Sequence, residues 1–326
     1  MRRRGLLLGA LAAPAPVIGR AHAQARAVKI VVPFPPGGAA DITARLLAEQ
    51  MAPLLGQPVV IENRPGAGGN IAAEAVARSA LDGGTVFLGG ATIFCANRYL
   101  YRGSMPFDAL RDFAHISRVS IGTTLLVTRA DRPWQDFGQL VAAAKEAPGR
   151  LSAGNSGWGT ISNLTIAKLC KSAGIEISQV PYRGLAPGIN DLLAGNLDLL
   201  FDGIPAIVPH VREGRLRALA VGSAQRVTYV PGIEAVPGMA ELIPGTDMDM
   251  AFWYCLSAPA GTPAETVARL HQATTGAART AAYAEKLLPL GFTAITDDSP
   301  AALTDLIRRE DAVWKGLVEL SGVKLD

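Results

Sequence analysis

Short runs of aliphatic and β-branched residues alternate with helical stretches along this chain, and twice the passage from strand to helix runs through a glycine-rich turn. This alternation is the strongest constraint on the fold, because strands separated by helical segments pair as α/β layers, ordinarily with parallel strands. Val28 to Pro33 reads as a strand and Phe34-Pro35-Pro36-Gly37-Gly38 as a loop. A helix then starts near Asp41, with Ala44, Leu47, Ala48, Met51 and Leu55 on one face. Val59-Val60-Ile61 and Thr85 to Leu88 are further strands, and Arg64 to Asn70 turns into a helix running through Arg78.

Leu125-Leu126-Val127 opens a second unit of the same kind. In it Leu151-Ser152-Ala153 leads through Gly154-Asn155-Ser156-Gly157-Trp158-Gly159-Thr160 into a helix that buries Ile166, Leu169, Cys170 and Ala173. Leu197 to Phe201, Arg217 to Val221 and Phe252 to Ala258 are strands. Thr262-Pro263-Ala264-Glu265 has the form of a capping box with proline at the first helical position. Ser299-Pro300 opens the last helix, with Leu303, Leu306, Ile307, Trp314 and Leu317 facing inward. At 326 residues the chain is long enough for two such domains.

Residues 1–23 stand apart. Arg2, Arg3 and Arg4 precede an apolar run from Gly5 to Ile18, and Ala21-His22-Ala23 offers small residues for cleavage before Gln24, the layout of an export signal. The arginine pair before Gly5-Leu6-Leu7 fits a twin-arginine signal as well as the general route. Without this segment 27 of the 31 basic residues remain against 28 acidic ones, so the formal charge of +3 comes from the signal and gives no basis for nucleic-acid binding. Cys95, Cys170 and Cys255 are few, odd in number and far apart, and read as buried thiols rather than a disulfide framework. His115, His210 and His271 lack metal-ligand spacing, and no cofactor or metal is expected.

The two glycine-rich turns, within 28–45 and 149–165, are the candidate binding elements. Glycine lets backbone approach a ligand, and the first amides of a helix have no acceptor in the preceding turn while carrying about half a positive charge. Either turn alone also reads as an ordinary strand-to-helix connection; a pair in successive units suggests a cleft with an anion site on each wall. Three or four contacts of about 1.5–3 kcal/mol each would offset the entropy of association and leave about −8 kcal/mol, a micromolar affinity.

Enzyme motifs fit less well. Gly154-Asn155-Ser156-Gly157-Trp158 imitates a nucleophile elbow but ends in tryptophan, and His210 and His271 have no persuasive acid nearby. Gly66-Ala67-Gly68-Gly69-Asn70-Ile71 departs from a dinucleotide loop at Ile71, and no Walker lysine pattern occurs.

From about Val28 to Val323 the chain resembles the substrate receptors of tripartite tricarboxylate transporters, the TctC or Bug receptors. The resemblance rests on Val31-Val32-Pro33-Phe34-Pro35-Pro36-Gly37-Gly38 with Asp41 and Arg45, on Glu62-Asn63-Arg64-Pro65-Gly66-Ala67-Gly68-Gly69-Asn70, and on Val180-Pro181-Tyr182-Arg183-Gly184. Asp191-Leu192-Leu193 with Gly195, Arg217-Ala218-Leu219-Ala220-Val221 and Ala258-Pro259-Ala260-Gly261-Thr262-Pro263 complete it. Gly84, Asn163 and Cys255 depart from the family pattern, and none falls on the two candidate loops.

The resemblance implies a two-lobed periplasmic binding protein of type II, a venus flytrap made of two parallel-sheet domains joined by a hinge. Lobe one would take 24–122 and 251–326, and lobe two 123–250. It implies a monomeric, non-enzymatic receptor in the periplasm that captures a small carboxylate for the membrane subunits of such a transporter. The ligand-binding residues are then expected to be Phe34, Gly37, Gly38, Ala39, Ala40 and Asp41 on one wall and Ser156, Gly157, Trp158, Gly159 and Thr160 on the other. Asp202 matches an acidic position that faces the far end of the ligand in the family, and equally reads as a helix cap. Trp158 could stack on an aromatic acid with Phe34 opposite, or pack against a neighbouring loop. Two rivals stay open: an exported hydrolase using Ser156, and a ligand sensor that docks a signalling partner.

Overall fold

The computed structural model describes residues 27–325, so the export-signal reading of 1–23 lies outside the described residues. The chain forms two sheets, each flanked by helices, giving two α/β lobes. In the first, β1 (Val28–Val32), β2 (Val59–Asn63), β3 (Thr85–Gly90), β4 (Phe113–Gly122), β10 (Phe252–Pro259) and β11 (Phe292–Ala294) lie in the order β11-β4-β10-β3-β1-β2. The second is ordered β7-β6-β8-β5-β9, from β5 (Thr124–Arg129), β6 (Ser152–Asn155), β7 (Ser178–Pro181), β8 (Leu199–Gly203) and β9 (Leu216–Val221).

The helices are α1 (Ala39–Leu55), α2 (Asn70–Ala77), α3 (Asn97–Leu100), α4 (Phe137–Glu146), α5 (Ile161–Ala173) and α6 (Leu185–Ala194). They continue as α7 (Ile204–Arg212), α8 (Met239–Leu242), α9 (Ala264–Ala278), α10 (Ala281–Leu287) and α11 (Pro300–Ser321). A π-helical turn, Thr92–Ala96, leads directly into α3.

Both sheets are mixed, which corrects the expectation of parallel-sheet domains. β1 pairs in parallel with β2 and β3, and β6 with β7 and β8, as helical crossovers require. β10 and β5 run antiparallel to their neighbours. Both adjoin the passage between the sheets: Thr123 alone separates β4 from β5, and β10 begins at Phe252, opposite Gly122. A strand that enters a sheet from the other lobe is not bound by the crossover rule.

The alternation of side chains along the second sheet divides its core. Leu126, Leu199, Phe201 and Leu219 join the large apolar cluster that includes the first lobe's interior, whereas Leu125, Val127, Leu200 and Leu216 belong to a separate cluster on the opposite face. Contact between α5 and α11 carries the larger cluster across the lobes, and the Leu325 amide donates to the Leu100 carbonyl at 2.8 Å. Cys95 and Cys255 are buried, Cys170 is half-buried, and all three are free thiols.

Two helix starts show how local chemistry competes. Ser299 caps α11 by accepting from the Ala302 amide, with Pro300 in the first turn. Ser299→Ala is expected to cost about 1 kcal/mol, a Tm lowered by roughly 2–4 °C, without changing ligand affinity. At α9 the predicted capping box is absent: the helix starts at Ala264 and the Thr262 hydroxyl donates to the Pro259 carbonyl at 2.8 Å. The Pro259–Thr262 turn, closed by the Thr262 amide, takes that side chain first.

Candidate functional site

The sheets meet at a cavity of about 390 Å3, in the range of small-molecule sites. Ten of the twelve residues expected from the sequence line it: Phe34, Gly37, Gly38, Ala39 and Ala40 from the first lobe, and Ser156, Trp158, Gly159, Thr160 and Asp202 from the second. Asp41 and Gly157 are not among the lining residues, for a geometric reason in each case.

Asp41 lies in the first turn of α1 with its carboxylate turned back on its own loop. It accepts from the Gly37 amide at 2.9 Å, from Arg45 Nε and Nη2 at 3.0 Å each, and from Asn63 Nδ2 at 2.9 Å. Asn63 also donates to the Phe34 carbonyl at 3.0 Å. Burial works to raise the Asp41 pKa, but the hydrogen bonds from Arg45, Gly37 and Asn63 and the Arg45 charge together hold it below the ordinary carboxylate value. Asp41 therefore shapes the loop. Gly37, at φ 85°, supplies the left-handed bend that aims its amide at Asp41. The first-turn amides of Ala39 and Ala40 have no helical acceptor and belong to residues on the cavity wall.

Side chains hold the second loop in the same way. The Gly157 amide donates to Asn155 Oδ1 and the Gly159 amide to Asn163 Oδ1, each at 3.0 Å. Asn155 and Asn163 both donate to Gln179 Oε1, at 3.0 and 2.8 Å, so three amide side chains fix one turn. Asn163 thus holds this turn from the first turn of α5. Thr160 caps α5 and donates its hydroxyl to the Gly157 carbonyl at 2.7 Å. Gly159, at φ 76°, lies against the first lobe, where an added Cβ would come 2.7 Å from Leu100 Cδ1 and 3.1 Å from Leu325 Cδ1. Two of the loop amides foreseen as anion donors are thereby already bonded. This wall still presents the Ser156 and Thr160 hydroxyls and the Trp158 ring, 41% exposed.

Two further strand-to-helix turns line the cavity and were not identified from sequence. Tyr182-Arg183-Gly184 joins β7 to α6, and its Arg183, Gly184, Leu185, Ala186 and Pro187 reach the site. Gly203, with Pro205 and Ala206, does the same between β8 and α7. Glycine between a strand and a helical run marks both turns, the signal used for the other two. The first lobe adds Gly68, then Gly90 to Ile93 at the π-helical turn, with Asn97 and Tyr101 beyond it. Asn97 is held by donating to the Gly68 carbonyl and to Asn70 Oδ1, at 3.1 and 2.6 Å. Tyr254 and Phe252 supply apolar surface.

Asp202 is the one acidic residue among those lining the cavity. It is the penultimate residue of β8 and is 7% exposed; Oδ1 accepts from the Gly203 amide at 2.7 Å, while Oδ2 is buried with no hydrogen-bond partner. Burial pushes its pKa up, opposed by the Gly203 amide and by Ser156 and Ser162 nearby. Neither serine completes a bond to Oδ2. Burial and the Asp202 charge both push the Tyr254 phenol up. As for a nucleophile, the Ser156 hydroxyl donates to Thr160 Oγ1 at 3.4 Å, and no histidine is among the described residues lining the cavity. His210 bonds to Arg215, and His271 to the Asp297 carbonyl.

A family model described as tripartite tricarboxylate transporter family receptor matches residues 43–323. Protein BugT of Bordetella pertussis is 34% identical over 325 residues, 98% of this chain and 97% of BugT. Among solved structures, an R. palustris protein with adipate aligns at TM-score 0.84 and 33% identity, covering 92% of this chain and 98% of that one. The periplasmic binding protein BugD aligns at TM-score 0.83 and 31% identity, covering 92% and 99%, so the two lobes have the periplasmic binding protein fold. Matched over most of its length by the family model and nearly end to end by BugT, the chain belongs to the tripartite tricarboxylate transporter receptor family.

Proposed function

We propose that this chain is an exported, monomeric receptor that captures a small carboxylate in the periplasm and presents it to the membrane subunits of a tripartite tricarboxylate-type transporter. Residues 1–23 are its export signal, 24–122 with 251–326 its first lobe and 123–250 its second. The lobes close on the ligand about the Thr123 and Ala251 crossings. No chemistry on the ligand is part of this reading.

The observation that carries it is the convergence of α1, α5, α6 and α7, whose first-turn residues all line one cavity. Each helix start contributes positive potential and unpaired amides, so together they favour an anion. Much of the remaining wall is apolar, including Phe34, Ile93, Trp158, Phe252 and Tyr254, and accepts the body of a small organic acid. The relative that holds adipate supports the same class of guest.

A thermal-shift screen of the purified mature protein against benzoate, malate, adipate, citrate and 6-aminohexanoate tests the reading. A carboxylate present at a hundred times its Kd should stabilise the fold by ~2.7 kcal/mol. A panel in which no carboxylate moves the transition would overturn carboxylate capture.

A further inference from the structure

Arg183 is the one cationic side chain among the described residues that line the cavity. It is exposed at the rim, and neither an ion pair nor a hydrogen bond engages its guanidinium. Most arginines elsewhere have settled partners: Arg45 with Asp41, Arg118 with Asp297, Arg226 with Glu241. Its loop is tied to the second candidate loop, since the Tyr182 amide donates to the Asn155 carbonyl at 2.9 Å and the Gly184 amide to the Ser156 carbonyl at 3.3 Å. A second, independent feature points to a guest: Asp202 Oδ2, buried and unpartnered, on a residue that lines the same cavity. The site therefore has a cation at its rim and, in its wall, a buried carboxylate oxygen without a donor.

We propose that Arg183 is the mobile counter-charge of the cleft, drawing the carboxylate in and pairing with it beside the Ser156–Thr160 loop as the lobes shut. The proposal rests on the receptor reading above and adds to it the residue that meets the carboxylate. The polarity that follows, carboxylate toward Arg183 and a hydroxyl or ammonium donor toward Asp202, shares its second half with the expectation already drawn from the family resemblance. Helix ends are fixed and act only at short range, whereas an exposed guanidinium reaches an approaching anion across about a Debye length and offers paired donors on contact.

The test uses the full mature protein and four probes: benzoate, malate, adipate and 6-aminohexanoate. Binding is followed by tryptophan fluorescence, because Trp158 and Trp253 line the cavity. Arg183→Gln, Arg183→Lys and the outer-surface control Arg308→Gln are compared at low and at physiological salt. Arg183→Gln should leave Tm unchanged, weaken the bound probes on the order of tenfold at low salt, chiefly through a slower on-rate, and flatten the salt dependence. Arg183→Lys should restore most of the on-rate, and Arg308→Gln should match wild type. Among the probes of six-carbon length, 6-aminohexanoate should bind more tightly than adipate. Wild-type affinity, on-rate and salt dependence in Arg183→Gln would overturn the role of Arg183 and leave the receptor reading intact; tighter binding of adipate would overturn the polarity. If wild type binds none of the four, citrate becomes the probe for Arg183→Gln; if citrate too fails to bind, the receptor reading fails and takes this inference with it.

Discussion

Asp202→Asn is expected to raise the Tm of the ligand-free protein while lowering its affinity for ligand. One oxygen of Asp202 accepts from the Gly203 amide and the other is buried without a partner, so the ionised group has given up water for a single hydrogen bond. Leaving a buried acceptor unsatisfied costs about 1–3 kcal/mol, and more when it is charged. Asparagine keeps the shape and an acceptor for Gly203 but removes the charge. The ligand-free variant should therefore gain about 1–3 kcal/mol at pH 7. Binding moves the other way: a charge-assisted hydrogen bond from the ligand's donor group contributes about 1.5–3 kcal/mol, so its loss weakens binding roughly 10- to 150-fold.

The dependence on pH separates this explanation from a packing effect. Burial raises the folded pKa of Asp202 above its ordinary value of 3.8. Between those two values the native state binds more protons than the unfolded one, so stability falls as pH rises through the window. Wild type minus Asp202→Asn should show that decline from pH 4 upward, with the two proteins converging at the acid end. A variant with unaltered affinity and a pH-independent stability difference would remove Asp202 from the site.

The same carboxylate shows what can and cannot be read from a sequence. Its place after an apolar strand and before Gly203 was visible; whether it caps a helix or faces a guest depends on which oxygen finds a partner, which only the fold decides. Asp41 poses the same question in the first lobe. A carboxylate in the first turn of a helix behind a glycine-rich loop can point to the ligand or back to the loop. Arg45 at i+4 was the available hint that it is claimed from behind. β1, the turn after it and the start of α11 were legible because their signals are local: apolar runs, glycine and a serine–proline cap. The antiparallel course of β10 was not, since strand direction is set by a chain arriving from the other lobe, and period-two patterning is identical in either direction. The Arg183 and Gly203 turns carried the same local glycine signal as the others; their convergence on one cavity is a property of sheet order.

Asp41→Ala should reduce ligand affinity by about a hundredfold in a protein that still folds. Four hydrogen bonds end on this carboxylate, from the Gly37 amide, from two nitrogens of Arg45 and from Asn63. Arg45 is about half exposed and returns to water, so its pairing contributes less than about 1 kcal/mol to the fold. Losing the bonds to Gly37 and Asn63 has a local consequence, because they hold the left-handed turn and the Phe34 end of the loop in place. Two loop residues released to move must be ordered again on binding, at about 1–2 kcal/mol each, and 2.8 kcal/mol corresponds to about a hundredfold in Kd. In wild type, with the folded pKa of Asp41 held below 3.8, this stabilisation is complete above the unfolded value and is lost as pH falls through the folded one. Binding should accordingly persist at pH 5 and collapse only below about pH 4. Calorimetric titration of Asp41→Ala and Asp41→Asn beside wild type checks the order: alanine weakest, asparagine between, because one oxygen can still accept from Gly37 while its amide opposes Arg45. Wild-type affinity in the alanine variant would mean that the Phe34–Gly38 turn holds its shape unaided, and that Asp41 serves only the stability of α1.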